Sequence, residues 1–407
     1  MRHFGLLQRP ARTGPVPRGI DLRGPAVLSY GFRPFFLLAG LFAAADMVLW
    51  VAALSGLIAV GGDMGPIDWH AHEMLFGYGA AALCGFVLTA VPNWTGRLPV
   101  SGWPLLGLVL LWLAGRAVSF APEALGEIAS AAVDALFLPA LAFVVAREVV
   151  AGRNWQNLRV VAGVGLIAAL NLAFHICVLA GWDEMAVLRA TIAVFMLLIG
   201  QIGGRIVPSF TRNYLVKAGV QRLPRQRGRL DEWTLAATAL AGIAWAASPA
   251  GWPTAALAGM AAVLQALRLS GWRGPATVAE PLLFVLHLGY AFVPIGLAGV
   301  AMAALGLIAQ ASALHLLTAG ALGMMTLAVM TRASRGHTGR PLAASATTSV
   351  SYLLVLSAAI ARPLADILPF YHPMLTFAGI AWIGAFSLFT IEHAPMLLRP
   401  SLHQRRP

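Results

Sequence analysis

The chain has 407 residues, of which 59% are hydrophobic and only 11% are charged, and its mean hydropathy is +0.78. Because charged residues make up about a quarter of an ordinary soluble domain, this composition excludes a soluble globular protein and indicates an integral membrane protein. The net charge of +12 does not indicate a nucleic-acid partner, since the basic residues fall in particular segments between apolar runs.

Apolar runs of about twenty residues are long enough for a helix to cross roughly 30 Å of hydrocarbon. Twelve such runs follow one another along the chain: 35–57, 69–91, 105–120, 128–149, 160–180, 186–207, 233–247, 254–269, 281–304, 308–331, 345–361 and 374–397. They predict an all-α polytopic membrane protein with about twelve transmembrane helices. Runs seven and eight are short, so ten spans with a re-entrant pair is the alternative.

This pattern divides the chain into an Arg-rich arm over residues 1–31, a single transmembrane domain over 32–398 and a tail over 399–407. All but three of the 28 Lys and Arg residues lie on alternate loops, so the positive-inside rule places both termini in the cytoplasm. The arm lacks the apolar core of a cleavable signal peptide and is expected to lie on anionic lipid. Cys84 and Cys177 fall within predicted spans, and no disulfide framework is indicated.

Similar segments recur at a spacing of four helices. Residues 91–97, 207–213 and 329–332 resemble one another and end runs two, six and ten, and residues 170–174 resemble residues 286–290. These similarities predict three four-helix repeats. The alternative is that apolar segments with Arg at their ends are alike by chance.

The mouth of run two carries two histidines and a carboxylate, in the sequence WHAHEMLFG over residues 69–77. Ionisable side chains at membrane depth are costly, so His70, His72 and Glu73 mark a candidate functional site. At 1.5 Å per residue, His175 and His315 lie within roughly 10 Å of the same depth, near the predicted outer face. Four imidazoles at one level predict a metal or haem site, in which Glu73 orients a ligand histidine, moves protons or caps the helix.

Other polar side chains lie away from this layer. Asp46 and Asp134 are intramembrane carboxylates, either of which is expected to pair with Arg116 or another polar partner. His372, just before run twelve, would add a fifth histidine near the outer surface. Cys177 and Met74 offer sulfur that suits Cu(I).

The opposite, predicted cytoplasmic side holds a second set of candidates. His287 and His393 lie within about ten residues of that face and His337 lies in the loop after run ten; they form a second site or are ordinary interfacial residues. Arg97, Arg205 and Arg332 would bind haem propionates, lipid phosphate or a small anion, or they only set the topology. A haem in the outer leaflet would not reach these arginines.

Five segments together resemble the NnrS family: residues 32–36, 69–77, 90–97, 204–213 and 330–341. The resemblance implies a multi-pass protein of the bacterial inner membrane that contains haem b and copper and is linked to denitrification and nitric oxide stress. It also implies nitric oxide as ligand or substrate, with quinol or a periplasmic protein as electron donor if nitric oxide is reduced.

The four-helix period with histidines on helices two and ten also resembles, in architecture alone, the core of the haem-copper oxidases. That resemblance implies that His70 or His72, together with His315, provides the axial haem ligands. Helices six and seven lack the histidines that hold copper in oxidases, so copper is expected at the spare member of the His70 and His72 pair with His175. Glu73 would then deliver protons.

Three classes of function remain open at this point. The first is a haem and copper protein that binds nitric oxide and reduces it or removes it from metal targets. The second is a transporter of a metal or small solute, in which the histidine layer is a transient binding site. The third is a protein of nitric oxide or metal stress without turnover, acting as a sensor or assembly factor.

Overall fold

The computed structural model describes residues 24–402, and every regular element in that range is a helix. Residues 1–23 of the predicted arm and residues 403–407 of the predicted tail lie outside the described residues. The long helices are α1 Phe32–Leu54, α2 Gly62–Thr95, α3 Trp103–Phe120, α4 Glu127–Ala151, α5 Trp155–Ala180, α6 Met185–Lys217, α7 Arg229–Ala247, α8 Trp252–Ser270, α9 Pro281–Ala304, α10 Gln310–His337, α11 Ala346–Ala365 and α12 Tyr371–Leu398.

The prediction of an all-α polytopic membrane protein is confirmed. Ten of these helices are long and apolar enough to cross a membrane. Helices α7 and α8 have 19 residues each but carry buried polar groups, among them Asp231, Gln265 and Arg268. Their composition falls short of a membrane span, so the number of candidate spans among the described residues is ten, as in the alternative prediction, and not twelve.

Helices α2, α6 and α10 meet inside the bundle. A Cβ atom on Gly79 of α2 would lie 3.2 Å from the ring of Phe195 in α6 and 3.5 Å from Leu322 in α10. Each of these three helices lies four positions from the next along the chain, and α1 packs against α12 to bring the ends of the chain together. Helices at the predicted spacing of four therefore lie together, and the three four-helix repeats themselves stay a prediction.

Two of these inner helices contain π-helical stretches at corresponding places. In α2 the stretch is Glu73–Gly79 and directly follows His72, and in α10 it is Leu316–Gly323 and directly follows His315. Such stretches are rare and occur frequently at functional sites. The indole N–H of Trp112 donates to the carbonyl of Gly77 at 3.0 Å, which satisfies a backbone acceptor within the first stretch.

The arginine-bearing segments differ from the prediction. The three similar segments that end runs two, six and ten are largely helical, because α2 continues to Thr95, α6 to Lys217 and α10 to His337. Arg268, inside run eight, is buried within α8 and donates from Nε to Asp231 at 2.8 Å. Arg33 is buried in α1 and donates to the carbonyl of Leu397, near the end of α12, at 3.0 Å. Arginine is tolerated at these depths because a carboxylate or free helix carbonyls compensate its charge.

Candidate metal site

Three buried side chains from three helices bring possible metal ligands together. His72 of α2, Asp134 of α4 and His175 of α5 each offer one ligand atom, and the three atoms lie within 4.8 Å of one another. The Nε2 atom of His175 lies 2.8 Å from Oδ2 of Asp134, and Nε2 of His72 lies 3.3 Å from the same oxygen. Two imidazole nitrogens and a carboxylate oxygen form a donor set for a divalent or redox-active transition metal.

The local structure of α4 places Asp134 in this position. The first helical segment of α4 ends at Asp134, and the helix resumes at Phe137. Across from it, a Cβ atom on Gly115 of α3 would lie 2.7 Å from Oδ1 of Asp134. Glycine at position 115 therefore leaves room for the carboxylate, which is only 2% exposed.

Hydrogen bonds fix the orientation of His72. Its Nδ1–H donates to Oε1 of Glu73 at 2.9 Å, and its Nε2 lies 2.9 Å from Oδ1 of Asn171. The amide nitrogen of Asn171 donates to Oδ2 of Asp134 at 3.0 Å, and the hydroxyl of Ser119 donates to Oε1 of Glu73 at 2.8 Å. Outer contacts of this kind hold a metal-binding histidine in one orientation.

Arg116 joins the two carboxylates of the site. Its Nη1 lies 2.5 Å from Oε1 of Glu73, and its Nη2 donates to Oδ1 of Asp134. The predicted partnership of Asp134 with Arg116 is confirmed, whereas Asp46 pairs with His70 instead. When the imidazoles are neutral, the two carboxylates and the one guanidinium have a net charge of −1. This charge is buried, where the dielectric constant is low. Both nitrogens of His72 face acceptor oxygens, so a cation is favoured there, either a proton on the ring or a metal ion.

Aromatic rings and one small cavity surround the site. The ring of His72 lies 5.1 Å from that of Phe76 and 4.9 Å from that of Phe174, measured between centroids. A cavity of about 10 Å³ borders Asp134 and His175, and this is room for one water molecule. The ligand atoms are thus shielded from bulk solvent but not sealed.

His70 and His315 stand apart from this group. The Nδ1–H of His70 donates to Oδ2 of Asp46 at 2.7 Å, and its ring stacks on Trp50 at 4.4 Å. The Nδ1–H of His315 donates to the carbonyl of Ala311 at 2.8 Å. Of the four predicted metal ligands, the structure therefore brings His72 and His175 together with Asp134, and it places the other two elsewhere.

The candidates of the opposite face each have local partners. Nε2 of His287 forms a hydrogen bond with the hydroxyl of Thr211 at 2.8 Å, and the ring of His337 stacks on that of Tyr30. Each of the three candidate arginines contacts a different residue. These contacts are Arg97 with Glu148 at 2.5 Å, Arg205 with Asn157 at 2.6 Å, and Arg332 over the ring of Phe210 at 4.4 Å.

Three further residues, His372, His393 and Cys84, lie outside both of these groups. His372 lies within α12 rather than before it, and it is exposed. His393 is buried, with its Nδ1–H donating to the carbonyl of Phe389 at 3.0 Å, and Cys84 is a buried packing residue.

Sequence reasoning missed Asn171 and Ser119, and it predicted a partner for Asp134 but not a role as a metal ligand. One signal could have found Asn171, which lies four residues before His175 on a helix that is otherwise apolar. Residues four apart share a helix face, so a polar pair at this spacing indicates a common environment. Asp134 had no such signal, because it lies 41 residues from His175 in the sequence and the contact is made between helices.

Comparison with known proteins gives one result. No curated protein matches the chain in sequence. The model of the family described as NnrS protein matches residues 26–401, which is nearly the whole chain. The match includes every helix and every residue of the candidate site, and the chain therefore belongs to the NnrS family.

Proposed function

We propose that this protein is a copper and haem protein of the bacterial inner membrane that binds nitric oxide at a metal held by His72, Asp134 and His175. The observation that carries the proposal is the convergence of three buried ligand atoms within 4.8 Å. Family membership supports copper, haem and nitric oxide by resemblance. The predicted orientation would place this site near the periplasmic face.

Charge balance supports a bound cation at this site. Arg116 offsets only one of the two carboxylates, Glu73 and Asp134, that it contacts. An uncompensated charge buried in protein costs several kcal/mol. A copper ion would remove that cost, and its imidazole and carboxylate donors are ones that copper accepts.

The surrounding side chains would tune and orient the ion. Copper bound there would supply one-electron redox chemistry and an open position for nitric oxide. Glu73 holds His72 through Nδ1 and keeps its own Oε2 without a hydrogen-bond partner. That oxygen is the atom at which Glu73 would hold a proton if nitric oxide is reduced, with electrons from quinol or a periplasmic donor.

The haem ligands that fit best are His70 and His315. Both have Nδ1–H bound to an acceptor, which leaves Nε2 with a lone pair for iron. We assign His72 to the copper site and not to haem, because its Nε2 lies beside Asp134 at 3.3 Å and its ring lies beside that of Phe174. Of the two alternatives on helix α2, we therefore propose His70 as the haem ligand.

The haem assignment predicts how three single substitutions affect the absorption spectrum of the protein. His70→Ala and His315→Ala should each weaken or abolish the b-type bands in a reduced-minus-oxidised spectrum of detergent-purified protein. His72→Ala should retain them, because its ring serves the other metal. Retention of wild-type bands in both of the first two variants would contradict the assignment.

The test of the proposed function is the copper content and the nitric oxide binding of the purified wild-type protein. We expect about one copper per chain, retained through purification, and a change in the copper spectrum when nitric oxide is added under anaerobic conditions. Copper that is lost on dilution would instead favour a transient site, as in a transporter. Copper-loaded protein that does not respond to nitric oxide would overturn the proposal.

A further inference from the structure

We infer that α5, α6 and α7, at their predicted cytoplasmic side, form a binding site for the phosphate of one anionic phospholipid. The site is a basic groove that consists of Asn157, Arg159, Arg205, Arg227 and Glu232. On α5, Arg159 and His175 are about 24 Å apart along the helix axis, at 1.5 Å per residue. The groove is therefore distinct from the metal site and does not depend on the metal proposed there.

Hydrogen bonds and ion pairs connect the residues of the basic groove across three helices. Nη1 of Arg205 on α6 donates to Oδ1 of Asn157 on α5 at 2.6 Å. Nη1 of Arg159, also on α5, donates to Oε2 of Glu232 on α7 at 3.1 Å, and Nη2 of Arg227 donates to Oε1 of the same carboxylate at 2.6 Å. Helix α6 packs against both α5 and α7, so the three guanidiniums are gathered at one end of adjacent helices.

The charges of the basic groove do not balance. Its three guanidiniums and one carboxylate leave a net charge of +2, because Glu232 pairs with both Arg159 and Arg227 and the partner of Arg205 is a neutral amide. Among the described residues, no other carboxylate forms an ion pair with these three arginines. A guanidinium has five N–H donors, so each arginine retains donors for a phosphate, which arginine binds through charge-assisted hydrogen bonds.

Exposed apolar side chains beside the basic groove favour a lipid over a free anion. Trp155 begins α5 and Trp233 lies near the start of α7, and both are more than half exposed. Tryptophan is enriched where a membrane meets water. Leu166 lies two turns after Arg159 on the same face of α5, Leu240 lies two turns after Trp233 on the same face of α7, and both leucines are exposed.

A phospholipid would contact both kinds of surface at once. Its phosphate would lie among the guanidiniums, and its acyl chains would lie on the exposed leucines. Basic pockets between membrane helices bind anionic headgroups in this way. A zwitterionic headgroup would bring a positive charge that the net charge of the groove repels, whereas inorganic phosphate would leave the apolar surface uncovered.

Four single substitutions test the charge of the groove in both directions. Arg205→Gln and Arg227→Gln each remove one positive charge and should weaken lipid binding roughly fivefold, the contribution of one basic residue near an anionic surface. Glu232→Gln removes the carboxylate and should strengthen binding, whereas general damage to the fold would weaken it. The matched control is Arg399→Gln, because Arg399 is exposed at the end of α12, which packs against α1 and α11.

The probes are short-chain phosphatidylglycerol as the anionic lipid, phosphatidylcholine of the same chain length as the zwitterionic lipid, and inorganic phosphate. They are added to the detergent-purified full chain, and native mass spectrometry gives the Kd of the first bound lipid. We expect the wild type and Arg399→Gln to bind phosphatidylglycerol alike, and at least about fivefold more tightly than phosphatidylcholine. Millimolar phosphate should not displace the lipid.

Three results would overturn the inference. The first is equal affinity for phosphatidylglycerol in Arg205→Gln, Arg227→Gln and Arg399→Gln, and the second is equal affinity of the wild type for the two lipids. The third is displacement of the lipid by millimolar phosphate, which would identify a site for a small free anion. None of these results concerns copper or nitric oxide, so the proposed function and the lipid site fail independently of each other.

Discussion

Replacing His175 with alanine is expected to remove copper from the protein while leaving the helical bundle intact. Nε2 of His175 contacts Asp134 at 2.8 Å and is one of three ligand atoms. Loss of an outer partner of a ligand typically weakens metal binding by about 10–100-fold, and loss of a ligand should cost at least as much. The measurement is copper per chain after purification, together with a competition titration for Kd.

His175 is a better choice than His72 for this experiment. The ring of His72 packs between Phe76 and Phe174 and has polar contacts on both nitrogens, so its removal disturbs packing as well as binding. The matched control is His372→Ala, which changes an exposed histidine on α12. Copper retained by His175→Ala at the level of this control would rule out the three-residue site.

Replacing Arg116 with glutamine is expected to cause a large loss of stability in copper-free protein. The guanidinium contacts both Glu73 and Asp134, and its side chain is only 9% exposed. Removing one partner from a buried ion pair typically costs about 3–5 kcal/mol, because a buried charge is left without compensation. The measurement is thermal unfolding in detergent, with and without copper.

Copper should stabilise Arg116→Gln more than it stabilises the wild type, because the ion replaces part of the lost positive charge. The control is Arg159→Gln, since Arg159 pairs with Glu232 at 3.1 Å and both side chains are mostly exposed. An exposed pair contributes about 0–1 kcal/mol. Equal loss of stability in the two variants would contradict the role given to Arg116.

A double variant separates charge balance from general damage. Arg116→Gln combined with Glu73→Gln removes one charge of each sign, so it should lose less stability than the two single variants added together. Contacting residues in one network typically couple by about 0.5–3 kcal/mol. Simple additivity would show that the pair is not coupled in the folded protein.

The positions of the helices could be predicted from the sequence because the bilayer imposes a length and an apolar composition on each span. The predicted run 281–304 coincides with α9, and the other eleven runs correspond to helices with shifted ends. The ends shifted because polar residues continue a helix where they find partners. In α10, for example, the helix extends beyond Thr331 to His337.

The site was predictable only in part. The histidines at one predicted depth identified His72 and His175, because depth follows from the helical rise and the direction of each span. Depth does not specify the face of a helix that a side chain occupies. His70 and His72 are two residues apart and therefore project in different directions, one toward Asp46 of α1 and the other toward Asp134 of α4.

By itself, the sequence determined that this protein is a bundle of membrane helices with ionisable groups near one face, because composition and run length leave no other structure in a bilayer. The tertiary structure alone decided which groups meet. Asp134, Asn171 and Arg116 come from three different helices. The contacts of Asp134 with both histidines and with Arg116, and that of Asn171 with His72, depend on helix rotation and packing. Those quantities are set by glycines such as Gly115 and by the break in α4 after Asp134, whose effects appear only when the helices are packed together.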